Sequence, residues 1–127
     1  MKPLPGVQVF ALTEDVFYTM SSLADVTQAN FQSEVLGHGQ PVLVDFWAPW
    51  CGPCKMLSPV VEKVATANTG KAKFVKLNTD ENPNIAGQYQ VSGIPCLILF
   101  KDGQPVDRVV GYVPENVVTT MLGKHVA

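Results

Sequence analysis

Apolar residues recur along this chain in two alternating rhythms, short continuous runs and stripes spaced three or four apart. Leu23-Ala24-Asp25-Val26 predicts a short strand. Thr27 is then placed to cap a helix in which Phe31 and Val35 share one face and Gly37 marks the end. Pro41 opens the run Val42-Leu43-Val44-Asp45-Phe46-Trp47, broken only by one acid, which suits a strand buried on both faces. From Pro53 to about Ala67, Met56, Leu57, Val60, Val61 and Val64 recur at helical spacing. Pro53 falls in the first turn, where a missing N–H does little harm, whereas Pro59 lies inside the pattern and predicts a kink. Phe74-Val75-Lys76-Leu77 reads as the next strand, and Asn82 to Tyr89 as a short helix opened by Pro83. Cys96-Leu97-Ile98-Leu99-Phe100 and Val106 to Val110 flank Lys101-Asp102-Gly103, a hairpin with a longer loop. Pro114 to about His125 closes the chain as a helix with Val117, Val118, Met121 and Leu122 inward.

Helix-linked strands followed by a hairpin predict an α/β fold with a mixed sheet, parallel early and antiparallel late, and helices on both faces. A chain of 127 residues, 46% hydrophobic and 16% charged, is one compact domain that needs no structural disulfides. A net charge of −2 without a basic block disfavours nucleic acid and anionic membrane as partners. No apolar stretch approaches the ~20 residues that span a bilayer. The N-terminal patch Val7 to Leu12 runs straight into Glu14 and Asp15, without the composition of a signal or transit peptide. The expected location is a reducing cytoplasm, or a plastid stroma in a photosynthetic eukaryote.

Three cysteines, Cys51, Cys54 and Cys96, are too few for a secreted disulfide scaffold. Cys51 and Cys54 instead stand where an apolar strand gives way to a helix. That spacing lets them face each other, and the helix N-terminus favours a thiolate at the first sulfur. A thiolate beside a resolving thiol is the minimum for thiol–disulfide exchange. The competing reading, half of a zinc site, needs two further ligands, and only the scattered Cys96, His38 and His125 remain. His38 and His125 read as surface residues without a role. Asp45, an acid in an apolar strand, is a candidate proton acceptor for Cys54, since burial lifts a carboxyl toward working pH.

Around Cys51-Gly52-Pro53-Cys54 the chain resembles thioredoxins, most of all bacterial and plastid m-type members, from about Ser21 to the end. The likeness includes Asp45 within the preceding strand, Trp50 next to the first cysteine and Pro59 in the following helix. It continues through Val91-Ser92-Gly93-Ile94-Pro95, Phe100-Lys101-Asp102-Gly103 and Val110-Gly111, in order. The resemblance implies a thioredoxin fold, a central mixed five-stranded sheet of order 1-3-2-4-5 flanked by four helices. It implies a cofactor-free, metal-free protein-disulfide reductase that acts on disulfide-containing proteins. A thioredoxin reductase, NADPH- or ferredoxin-dependent, would recharge it, and monomer is the expected state.

Residue by residue, the resemblance makes Cys51 the attacking sulfur, the more exposed of the pair, and Cys54 the resolving one. Lys76 matches a lysine beside the family's buried acid. Gly52-Pro53 goes with the strongly reducing members. Ile94-Pro95 is expected to be a cis peptide that offers its backbone to a substrate chain. Trp50, Gly52, Pro53, Gly93, Ile94, Pro95, Val110 and Gly111 would form the contact surface around Cys51, with Trp47 packed behind the turn. Cys96 departs from the pattern, since relatives usually carry threonine there. It is either buried and inert or a secondary redox site near the active site. Residues 1–20 read as an N-terminal extension and 21–127 as the thioredoxin domain. Within the extension Leu12 to Phe17 echoes Val26 to Phe31, and Met20 is an alternative natural start. Two rival functions share these residues: an isomerase or oxidase running the chemistry in another direction, and a binding subunit without redox turnover.

Overall fold

The computed structural model describes residues 23–126. The boundary between residues 20 and 21 and the Leu12–Phe17 echo therefore lie outside the described residues. Five strands and four helical segments alternate: β1 (Ala24–Asp25), α1 (Gln32–Leu36), β2 (Val42–Trp47), α2 (Gly52–Ala67), β3 (Lys73–Asn78), α3 (Pro83–Gln88), β4 (Cys96–Lys101), β5 (Gln104–Val110) and α4 (Glu115–His125). The strands form one sheet of order β1-β3-β2-β4-β5. β1 and β2 run parallel to β3, while β4 is antiparallel to both β2 and β5. This is the expected mixed sheet.

Side-chain alternation along β2 divides the core into two layers. Leu43 packs with Leu97 and Leu99 of β4, with Leu57, Val61 and Val64 of α2, and with Val118, Met121 and Leu122 of α4. On the other face Val42, Val44 and Phe46 pack with Phe31, Val35 and Ile85 beneath α1 and α3. A central strand covered on both faces has no solvent side on which to place polar residues, hence its unbroken apolar run.

Several local expectations change. β1 is only two residues long, although Val26 N extends the pairing to Lys76 O at 2.8 Å. Thr27 does not cap a regular helix. Its Oγ1 accepts from Ala29 N at 3.2 Å and its N donates to Asn30 Oδ1 at 2.7 Å, a side-chain-stabilised turn. Only then does α1 begin, wound at the wide π pitch, and it ends at Gly37 as expected. The β4–β5 connection is tighter than a longer loop. Asp102 and Gly103 both have positive φ, 54° and 80°, as a two-residue type I′ turn requires. β5 accordingly starts at Gln104. Met56, on the outer side of α2, is 61% exposed.

Candidate active site

β2 delivers the chain to the N-terminus of α2, where the two cysteines sit. Cys51 is the N-cap, in extended backbone, and its Sγ accepts a hydrogen bond from Cys54 N at 3.1 Å. The residue pair is joined as a disulfide with Cα atoms 5.3 Å apart. Reduction leaves that N–H and the helix dipole directed at Cys51, which favours its thiolate. The first turn of α2 carries no acid to oppose this, and Pro53 takes a position whose N–H would be unpaired. Contrary to expectation, Cys51 is not the more exposed residue: the two are 3% and 4% exposed, packed with Ala48, Trp47 and Ile94.

Asp45 is buried. It shares its face with Leu43 and with its antiparallel partner Leu97, the face that α2 covers. Its Oδ1 has no hydrogen-bond partner. Burial pushes the carboxyl up to about 7, and the Lys76 ammonium works in the opposite direction. Lys76 is the parallel register partner of Asp45 on β3. Its Nζ also lies 3.8 Å from Asp25 Oδ1 and 5.4 Å from the Trp47 ring centroid, so its charge is shared among three neighbours.

The Ile94–Pro95 peptide is cis. Pro95 O accepts from Gly111 N at 2.8 Å, which ties the cis-proline loop to the end of β5. A methyl group on Gly93 would meet Val110 Cγ1 at 3.4 Å, so a larger side chain would crowd β5. Of the cis-proline loop, Ile94 packs against the two cysteines, while Gly93 and Pro95 meet the end of β5 at Val110 and Gly111; Trp50 is 70% exposed and Val110 58%. Trp50 is held by its indole Nε1, which donates to the Asp80 carboxylate at 3.0 Å.

These features carry the same signature as a known sequence family, whose model, described as "Thioredoxin", matches residues 22–124. The chain belongs to the thioredoxin family. Among its relatives, "Thioredoxin 1" of Nostoc sp. is 56% identical over 106 residues, covering 84% of this chain and 99% of that protein. "Thioredoxin 1" of Synechococcus elongatus has the same identity and coverage, and "Thioredoxin" of Staphylococcus aureus is 53% identical over 82% of this chain and 98% of its own length. With its redox-active Cys51–Cys54 pair intact, this thioredoxin-family protein is a thiol–disulfide oxidoreductase that reduces protein disulfides. The family acts on disulfide substrates and is itself reduced by a reductase. Among the described residues, no helix of this thioredoxin is long and apolar enough to cross a membrane.

Cys96 falls on the far layer. It pairs with Phe46 and Val110 and belongs to the cluster beneath α1 and α3, away from the one that contains the disulfide. It is free and buried, as the inert reading expects, and burial pushes its thiol pKa up while the Arg108 guanidinium lowers it. Neither histidine is a plain surface residue. His125 Nε2 lies 3.1 Å from Asp107 Oδ2, and His38 Nδ1 accepts from Gln40 N at 3.1 Å. Asp25, Asp80 and Arg108 went unnoticed in the sequence. Asp25 and Arg108 lie within strands and Asp80 in a turn, and the partner of each is distant along the chain, so no local pattern marks it.

Proposed function

We propose that Cys51 is the nucleophile and Cys54 the resolving thiol of this reductase. The Cys51 thiolate attacks one sulfur of a substrate disulfide, and the other substrate sulfur leaves as a thiolate. Asp45 takes the proton of Cys54, and the resulting thiolate attacks Cys51 Sγ and expels the second substrate thiolate. The substrate gains two electrons and leaves as two thiolates, which take up the Cys54 proton released again by Asp45 and one proton from solvent, the one Cys51 gave up on ionising, while Cys51–Cys54 becomes the disulfide. The observation that carries this assignment is the N-cap geometry, which directs one backbone N–H at Cys51 alone.

Asp45 suits its part because its unpartnered oxygen and a pKa of about 7 let it accept and release a proton near neutrality. Lys76 keeps that value from rising further. Trp50, Gly52, Pro53, Gly93, Ile94, Pro95, Val110 and Gly111 receive the substrate chain, with the backbone around Pro95 pairing to it in strand fashion. The electron donor is a thioredoxin reductase, either a flavin enzyme using NADPH or a ferredoxin-linked one. The protein acts as a monomer in the cytoplasm, or in the stroma of a photosynthetic eukaryote, with residues 21–127 as the domain and 1–20 as an extension.

Insulin reduction tests the assignment. The wild-type protein is expected to accelerate bridge cleavage by dithiothreitol. Cys51→Ser should abolish this, and Cys54→Ser should accumulate a mixed disulfide on Cys51. Wild-type protein that leaves insulin no less stable than dithiothreitol alone refutes the reading. Retained cellular activity in a Cys51→Ser/Cys54→Ser double variant would favour a binding subunit.

A further inference from the structure

The cis-proline loop, residues 91–95, hangs between the end of α3 and the start of β4. β5 holds it at its C-terminal side through Gly111 N on Pro95 O and through Val110 against Gly93. A third hold comes from Arg108, two residues before Val110. Its Nη2 donates to Tyr89 O at 2.7 Å and its Nη1 to Gln90 O at 3.3 Å.

Those carbonyls close α3. Val91 N returns to Ala86 O at 2.8 Å and Gln90 N to Gly87 O at 3.0 Å, with Gln90 at a φ of 56°. This is the Schellman pattern with glutamine where glycine is usual. A helix C-terminus gathers outward carbonyls whose partial negative charge attracts cations. α3 has no basic residue in its last turn, so the cation arrives from a strand instead. The same guanidinium interacts with the thiol of Cys96, the residue after Pro95.

We propose that Arg108 is a positioning residue for disulfide exchange: by clamping the end of α3 to β5, it holds Gly93, Ile94 and Pro95 in the geometry that receives the substrate chain. The inference rests on the reading of this loop as the docking segment. Arginine suits the task because its planar fork can engage two carbonyls at once, whereas a lysine ammonium is a single point charge.

The test compares rate constants for reduction of insulin and of the small disulfide in Ellman's reagent by the pre-reduced protein, with thermal midpoints measured in parallel. Arg108 is exposed, so its variants are expected to fold. Arg108→Ala should slow insulin about fivefold more than Ellman's reagent, with the loss in the half-saturating insulin concentration and not in the limiting rate, and Arg108→Lys should recover part of it. An insulin-to-Ellman ratio equal to that of wild type overturns the proposal. So does an equal loss on both disulfides together with a lowered thermal midpoint, which marks general loosening. Gly93→Val, which crowds the loop directly, separates the two claims. If it too leaves the ratio unchanged, the docking reading itself fails; if it alone lowers the ratio, only the role of Arg108 does.

Discussion

Replacing Asp45 by asparagine should change how stability depends on pH, by an amount that follows from the burial of one carboxyl. An aspartate ordinarily titrates at 3.8, but in the folded protein Asp45 titrates at about 7. The unfolded chain thus gives up this proton some 3 pH units earlier than the folded chain. Between those values the folded state binds more protons than the unfolded one, so stability falls as pH rises. The slope is about 1.36 kcal/mol per unit, or at most about 4 kcal/mol across the window. Below the unfolded value both states are protonated and the penalty vanishes; above pH 7 it is fully present. An asparagine cannot titrate, so the Asp45→Asn variant escapes the penalty at every pH. The assay is urea unfolding of the oxidised proteins at a series of pH values from 4 to 8. Other carboxylates titrate alike in both proteins and cancel in the difference, and any constant effect of the amide shifts that difference equally at every pH without changing its slope. The variant is expected to gain on wild type steadily from pH 4 to about 7 and to level off above that. A difference that stays flat from pH 4 to 7, or that moves in favour of wild type as pH rises, refutes the burial argument and with it the proton-acceptor role.

Two further substitutions probe the frame around the site. Asp80→Ala removes the acceptor that holds the exposed Trp50 indole; it should slow insulin reduction about threefold without moving the Cys51–Cys54 potential. An unchanged insulin rate would show that Trp50 needs no tether. Gly103→Ala forces a side chain into a φ of 80° with its Cβ 3.2 Å from Leu36 O. It should lower unfolding stability by about 1–2 kcal/mol while leaving insulin turnover intact, and an unmoved urea midpoint contradicts it.

Where a residue's role depends on its immediate neighbours in the chain, the sequence was a sufficient guide. The alternation of short apolar runs with helical stripes is a local signal. It located every strand and helix of the described residues, with errors at β1, Thr27 and the hairpin turn. There the competing turn chemistry, a hydroxyl bonding to nearby backbone and two residues at positive φ, is also local but has several outcomes. The dithiol at a strand–helix junction and the acid inside an apolar strand were legible for the same reason: the chemistry is carried by adjacent residues.

Tertiary structure decided what distant segments do to one another. Whether Cys96 would share the environment of the disulfide depended on the face that β4 turns toward α2, and register against β2 sets it on the other face. The partition of the Lys76 charge among Asp45, Asp25 and Trp47 follows from parallel strands meeting in one register. The anchoring of Trp50 by Asp80, and of the α3 end by Arg108, spans 30 and up to 19 residues of chain. Period and composition describe how each segment buries its own apolar face. They are silent on which long polar side chain reaches across a loop, because that contact exists only once the sheet has brought the segments together.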